Sequence, residues 1–384
     1  MQQTHPSAEL PVYARIDVPI ERGEGVHVYT TDGQRLIDFY GGHAVASLGY
    51  AHPLLTGALA CQAGELFFQT NLVDVPIRRR AHQALVEFAP PGLEHAFLVN
   101  SGAEANENAL RLAFVQRPGR TKVVCLESAF HGRTAAAGAV TAGALAKWYG
   151  FPRTPFDVVT IAPEDFAALE NAVDGDTAAM ILEPIQGIAG CRDLSDAYLR
   201  AVREVTQAHG AVMIADEVQC GMGRSGLPFA FESAGVLPDL VTTAKGLGGG
   251  FPVGALLCTE AMAEGLAIGS LGTTFGGGPL ACAAILAVIE TMSAPGFLDN
   301  VRERSEQIQD TCVVGPVESI QGQGLLLGLR CDRPVAGLLP GLRKRGILAG
   351  GAADPHILRL TPPLILEAQH VDALAAALAD LGEN

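Results

Sequence analysis

The stretch Asp239–Leu240–Val241–Thr242–Thr243–Ala244–Lys245–Gly246–Leu247–Gly248–Gly249–Gly250 decides how this chain is read. Leu240–Ala244 is aliphatic and β-branched, with Pro238–Asp239 before it and glycines after it, which predicts a short buried strand. Lys245 sits at the end of that strand. Partial withdrawal from water favours the neutral amine, and a neutral amine can condense with an aldehyde. A strand-end lysine reaching solvent fits the same letters. The glycines that follow match GxG, but Phe251 stands where a third glycine belongs, and no acidic residue ends a strand about 20 positions on, so a dinucleotide site is not supported.

Outward from this stretch, short apolar runs alternate with helical ones. Ala96–Val99, Lys122–Leu126, Ala178–Leu182, Ala211–Ala215 and Gly254–Cys258 read as further strands, and Ala103–Gln116 and Tyr198–Ala208 as helices. Strands this apolar suit an α/β fold with a mostly parallel sheet covered on both faces. Upstream, Gly25–Phe39 reads as two strands joined at Asp32–Gly33, and Pro53–Phe68 and residues 78–88 as helices. Residues 1–20 read as irregular, because Pro6, Pro11 and Pro19 block a long helix. A helix from Pro279 to about Met292 precedes a change in composition. Beyond it come a helix, strands near 316–330, a helix near 336–345, a strand at 357–360 and a last helix near 367–381, the pattern of a smaller α+β domain.

The formal charge of −15 without any basic block argues against nucleic acid as a partner. The eight cysteines are scattered without CxxC spacing, so they predict neither a disulfide framework nor a metal site. No basic segment followed by an apolar stretch opens the chain, and no apolar run is long enough to span a bilayer, so a cytoplasmic protein without a membrane partner is expected.

Four further stations carry chemistry. Asn100–Ser101–Gly102–Ala103–Glu104–Ala105–Asn106 follows a strand and opens a helix, so it reads as a phosphate turn or as an ordinary serine cap. Ala211–Val212–Met213–Ile214–Ala215–Asp216–Glu217–Val218–Gln219 ends an apolar strand in two carboxylates. No GxxxxGK[ST] loop accompanies it, so an ATPase metal strand is not supported. Asp216 instead reads as a buried anion that needs a partner, such as a cationic ring nitrogen. Phe130–His131–Gly132–Arg133–Thr134 combines a ring that can stack with a guanidinium that can grip a carboxylate, or is merely a loop. Gly272–Thr273–Thr274–Phe275–Gly276–Gly277–Gly278–Pro279 sets two hydroxyls before a helix, as a second phosphate contact or a flexible turn.

In this order, NSGAEAN, FHGRT, DEVQCGMGR, AKGLGGG and TTFGGGPLACAA resemble the class III (ornithine-type) pyridoxal-phosphate aminotransferases, within them the acetylornithine aminotransferase group. The resemblance runs from Tyr13 to Arg359–Pro363. It implies a fold type I transferase with a large domain carrying a mostly parallel, seven-stranded-type sheet and a smaller α+β domain. Residues 1–50 would be an N-terminal segment packing with the small domain, 51–292 the large cofactor-binding domain and 293–384 the small domain. It implies pyridoxal 5'-phosphate as cofactor, no metal, and a homodimer with active sites at the interface. Lys245 would carry the cofactor, Asp216 pair with its ring nitrogen, Gln219 reach the ring hydroxyl and Phe130 stack on the ring. Ser101, Gly102 and Ala103 would hold the phosphate, and Thr274 would complete the phosphate site of the neighbouring subunit. Arg133 would hold the donor carboxylate, Arg359 the α-carboxylate of glutamate, and Thr273 would touch substrate.

The implied reaction moves the terminal amine of an N-acylated ornithine to 2-oxoglutarate, giving the semialdehyde and glutamate, in arginine biosynthesis. Other ω-amine donors (N-acyl-lysine, carrier-linked lysine, 4-aminobutyrate, free ornithine), an aminomutase and a silent regulatory paralogue are the alternatives. One departure bears on the donor. Many relatives read EPIQGEGG or EPIQGEAG where this chain reads Glu183–Pro184–Ile185–Gln186–Gly187–Ile188–Ala189–Gly190, so Ile188 replaces the glutamate that would pair with Arg359. Arg359 should then stay open to carboxylates, and the donor should be acylated at its α-amine. Gly278, where relatives carry asparagine, has no physical account.

Overall fold

Among the described residues seventeen strands form, the innermost of them aliphatic runs covered on both faces. In chain order these are β1 (Ile20–Glu24), β2 (His27–Thr30), β3 (Arg35–Asp38), β4 (His95–Val99), β5 (Lys122–Leu126), β6 (Asp157–Ile161), β7 (Thr177–Leu182), β8 (Ile185–Gln186) and β9 (Arg192–Asp193). They continue with β10 (Val212–Asp216), β11 (Leu240–Thr243), β12 (Gly254–Cys258), β13 (Val317–Gln323), β14 (Leu326–Cys331), β15 (Ile347–Leu348), β16 (Gly350–Gly351) and β17 (Ile357–Leu360). The computed structural model describes residues 8, 10–12, 16–143, 147 and 149–382. Tyr13 and much of the irregular opening segment lie outside the described residues.

The central sheet has seven strands in the order β4-β12-β11-β10-β7-β5-β6. All neighbours are parallel except at β12, which runs against both β11 and β4. The α/β sheet expected from sequence is therefore present, with one strand reversed. Its edge strand β6 and the helix Phe166–Ala172 had not been anticipated. β6 is only half covered (Asp157 and Thr160 are exposed), so it lacks the uniform apolar run that marks the inner strands.

Side-chain parity decides what each strand shows to which layer, because successive residues point to opposite faces. Val123, Cys125, Ala179, Ile181, Val212, Ile214 and Leu240 are buried with Ala109, Leu110 and Ala113 of the helix Gly102–Gln116. Val124, Leu126, Met180, Leu182 and Met213 are buried on the other side with Tyr198, Leu199 and Val202 of the helix Asp196–His209. Each large aliphatic side chain so covered contributes about 1.5–3 kcal/mol of hydrophobic stabilisation. The same parity carries Asp216, two beyond Ile214, and Thr242, two beyond Leu240, toward the helix Gly102–Gln116. That helix was predicted from Ala103 and begins one residue earlier.

The expected hairpin is β2–β3 with Gly33 at φ 86° in its turn, and β1 extends it. β3 then pairs in parallel with β15, which lies more than 300 residues later in the chain. β13-β14-β17-β16 form a second four-stranded sheet. Beyond β17, Thr361 donates its N–H to the carbonyl of Phe39 and its hydroxyl to that of Tyr40, so the ends of β17 and β3 are tied together. Among the described residues no single helix is long and apolar enough to cross a membrane, and all eight cysteines are unpaired.

Candidate active site

The strand β10 delivers Asp216 to the buried face of the helix Gly102–Gln116, and a polar cluster meets it there. Asn106 Nδ2 and His131 Nδ1 each donate to Asp216 Oδ2 at 2.7 Å, while the Val218 N–H donates to Oδ1 at 3.0 Å. Asn106 is itself fixed, accepting from Thr242 Oγ1 at 2.7 Å and donating to the His131 carbonyl. Asp216 is 2% exposed, so these three donors replace the water that a buried carboxylate loses. The arrangement fixes the proton of His131 on Nδ1 and leaves its Nε2 without a partner among the described residues.

Lys245 shares a cavity of about 480 Å³ with this cluster. The wall includes Ser101, Gly102, Ala103, Phe130, Arg133, Glu183, Ile188, Asp216 and Gln219. β11 stops at Thr243, one residue short of the predicted strand end, because Lys245 opens a tight turn at φ 44°. A non-glycine residue in that region is strained, and such strain gathers at functional sites. Desolvation pulls the amine pKa below that of ordinary lysine, against the opposing pull of the Asp216 and Glu183 carboxylates. Burial pushes the Glu183 carboxyl up to about 7, while its Oε1 accepts the Phe130 N–H at 2.8 Å.

The helix Gly102–Gln116 starts at the cavity edge. Ser101 caps it by accepting from the Glu104 N–H, and the Glu104 carboxylate accepts the Asn100 N–H. The N–H groups of Gly102 and Ala103, in the first turn, have no intrahelical acceptor, and the helix dipole favours an anion there.

The far end of the site is built differently. Arg359 on β17 is 4% exposed. Its Nη1 donates to the Gly187 carbonyl at 3.3 Å and its Nη2 approaches His43 Nδ1 at 3.2 Å, while Nε has no partner among the described residues. His43 lies in a left-handed turn, Gly41–Gly42–His43–Ala44, with φ of 55°, 55°, 64° and 68°. The last two cost roughly 1–2 kcal/mol each as L-residues in that conformation. Asp38, at the end of β3, anchors the turn by accepting the N–H groups of Tyr40 and Gly41. Gln219 Nε2 donates to the His43 carbonyl at 3.3 Å. A side chain at Gly187 would collide with the Gln219 amide, since a Cβ there would lie 1.7 Å from Oε1.

Of the residues singled out in the sequence, Lys245, Asp216, Gln219, Ser101, Gly102, Ala103, Phe130 and Arg133 line one cavity, and Arg359 sits beside Gly187 at its margin. The Arg133 guanidinium lies 5.8 Å from the Phe130 ring centre. Thr273 and Thr274 are not in that wall. Thr273 Oγ1 accepts the Gly276 N–H, and Thr274 is exposed. Asn106, His131, Glu183, Tyr40 and His43 were missed as site residues. Asn106 left a signal, an amide on the same apolar helix face as Ala105, Ala109 and Leu110. His43 left none, because its proximity to Arg359 joins positions more than 300 residues apart.

A cleft with a strained, desolvated lysine facing a fully held aspartate on a mostly parallel sheet defines an enzyme of amine chemistry built around an aldehyde cofactor. Residues 11–381 match the family Aminotransferase class-III. The chain is 41% identical to the acetylornithine aminotransferase of Brucella melitensis over 374 residues, covering 92% of this chain and 89% of that one. The ornithine aminotransferase of Toxoplasma gondii superposes with a TM-score of 0.91 at 27% identity, over 97% of this chain and 92% of that one. The N-acetylornithine aminotransferase of Stenotrophomonas maltophilia does so at 0.80 and 32% identity, over 96% and 97%. This protein belongs to the class-III aminotransferases and is a pyridoxal-phosphate-dependent enzyme. The residues present fit that cofactor: an amine and a carboxylate share one cavity, and a helix start with open N–H groups borders it.

Proposed function

We propose that this enzyme transfers the terminal amine of an N-acylated ornithine, with acetylornithine as the first candidate and succinylornithine the second, to 2-oxoglutarate. The products are the semialdehyde and glutamate, as in arginine biosynthesis. The identity to acetylornithine aminotransferases supports this donor. The observation that carries the reading is the Lys245 amine in one cavity with Asp216, with Arg133 in the same wall and Arg359 at its margin.

When bound, pyridoxal phosphate supplies a conjugated, electron-withdrawing ring that accepts the charge left as the substrate carbon loses its proton. Lys245 holds the cofactor at rest and, once displaced, takes that proton as a neutral amine, which its desolvation favours. Asp216, held by three donors, keeps the ring nitrogen protonated. Ser101, Gly102 and Ala103 would hold the cofactor's phosphate, and Phe130 and Gln219, in the same cavity wall, would contact its ring and hydroxyl. Arg133 orients the donor carboxylate and Arg359 that of the acceptor. Thr274 and Thr273, exposed or half-exposed on this chain, serve the site of a second copy, with Phe67 (68% exposed), Phe275 (66%) and Leu72 (97%) forming the apolar contact of a homodimer. Residues 1–50, 51–292 and 293–384 act as N-terminal segment, cofactor domain and small domain. Eight unpaired cysteines fit a cytoplasmic setting.

Initial rates with acetyl-, succinyl- and free ornithine, each with 2-oxoglutarate, test the reading. An acylated donor should lead by at least ~10-fold in kcat/KM. A clear preference for free ornithine overturns it.

A further inference from the structure

We propose that His43 is the resting partner of Arg359, a neutral stand-in that gives way to a substrate carboxylate and sets the enzyme's affinity for its dicarboxylate acceptor. The inference rests on the reading of Arg359 as the acceptor site and adds a residue that the motifs of the sequence did not mark.

The geometry points to His43 in three ways. A guanidinium has only donors, so at 3.2 Å Arg359 Nη2 donates to His43 Nδ1, and the ring hydrogen must lie on Nε2. Tyr40 Oη lies 2.6 Å from Nε2 and 2.9 Å from Nδ1, so the same ring is packed against a phenol as well as a guanidinium. The backbone that presents it is the left-handed turn described above, strained at His43 and Ala44 and anchored by Asp38. A chain holds a histidine in that conformation only when its surroundings over-determine it.

What faces His43 keeps it uncharged. His43 is exposed on this chain, yet desolvation in the cluster and the positive charges of Arg359, Lys245 and Arg133 push its pKa down to about 4. On the other side of Arg359 stand the Gly187 carbonyl and, next in the chain, Ile188, whose side chain lines the cavity and carries no charge. Among the described residues no carboxylate forms an ion pair with Arg359, and its buried Nε is unpartnered. The guanidinium is thus buried and held by neutral groups, the Gly187 carbonyl, the His43 ring and the Tyr40 hydroxyl. A carboxylate that arrives exchanges one neutral hydrogen bond for a charge-assisted, bidentate pair, which is roughly twice as strong per bond. A glutamate in place of His43 would compete for the same guanidinium. A histidine keeps Arg359 aimed without competing.

The test separates the two half-reactions of the holoenzyme. Glutarate, an unreactive five-carbon dicarboxylate, is titrated by calorimetry, and single-turnover rates are recorded with acetylornithine and, separately, with 2-oxoglutarate. In H43E the glutarate Kd and the 2-oxoglutarate KM should rise at least ~10-fold, and the 2-oxoglutarate half-reaction should lose clearly more than the acetylornithine half-reaction. H43N, which keeps a neutral acceptor on a residue that tolerates the left-handed turn, should bring the glutarate Kd back to within ~3-fold of wild type. Equal loss in both half-reactions in H43E and H43N would make His43 merely structural and overturn the proposal, as would unchanged glutarate binding in H43E. R359Q isolates the underlying reading: if glutarate binding survives that change, Arg359 is not the acceptor site, whatever His43 does.

Discussion

The two ends of this active site are held by opposite means. At the Asp216 end, three donors from a helix, a loop and the strand's own continuation saturate one carboxylate, and Asn106 in turn is tied to Thr242. At the Arg359 end, a buried cation meets a carbonyl, an imidazole and a phenol and leaves one nitrogen unused among the described residues. The first arrangement cannot change without orphaning several buried groups. The second is completed only when something else arrives. On the proposed reading, chemistry common to every substrate needs a fixed charge, whereas a site that serves a donor and then an acceptor needs a partner it can exchange.

That contrast can be broken in several ways. The largest effect belongs to Lys245, the proposed base. Lys245→Ala should lower turnover by about 10³-fold or more, measured in single-turnover assays, and borohydride should no longer fix the cofactor to the chain. Asp216→Ala comes next, because it removes the proposed counter-charge of the cofactor ring and strands Asn106 and His131. Turnover should fall by ~10²-fold, and each stranded group should cost ~1–3 kcal/mol in denaturant melts of the cofactor-free protein. Arg359→Gln should raise the 2-oxoglutarate KM by roughly 10–100-fold yet change stability by less than ~1 kcal/mol. A stability loss as great as that of Asp216→Ala would erase the difference between the two ends.

The smallest effect is a pH dependence. Glu217, next to Asp216 but on the opposite strand face, accepts the Phe231 N–H with Oε1, and burial pushes its pKa from 4.5 up to about 7. The folded state therefore holds a proton that the unfolded chain releases. The stabilisation is complete below about 4.5 and is lost as pH rises through about 7. Glu217→Gln should flatten this fall by no more than ~3 kcal/mol between pH 5 and 8, read as melting temperature of the cofactor-free protein. An unchanged slope would mean that burial at this site is relieved by water.

The neighbours Asp216 and Glu217 show how much was legible. Asp216 closes one apolar strand and Glu217 follows it, both visible in the sequence, and the alternation of side chains sends them to opposite layers. The same alternation, with a helical period in Ala105, Ala109 and Leu110, could have named Asn106 as the partner of Asp216. The hairpin at Asp32–Gly33 and the helices at Pro53 and Pro279 were also readable, because their start and turn signals are local. β6 was not, since an edge strand with exposed Asp157 and Thr160 lacks a continuous apolar run.

The sequence alone determined the alternating α/β core, the lysine after one strand and the buried carboxylate closing another, because each is written in a short window by periodicity and punctuation. Only the tertiary structure decided that β12 runs backwards, that β3 pairs with β15, and that Tyr40 and His43 meet Arg359. Those contacts join residues hundreds of positions apart, and strand direction or a long-range pairing depends on where the rest of the chain has already packed. No local pattern of residues carries that information.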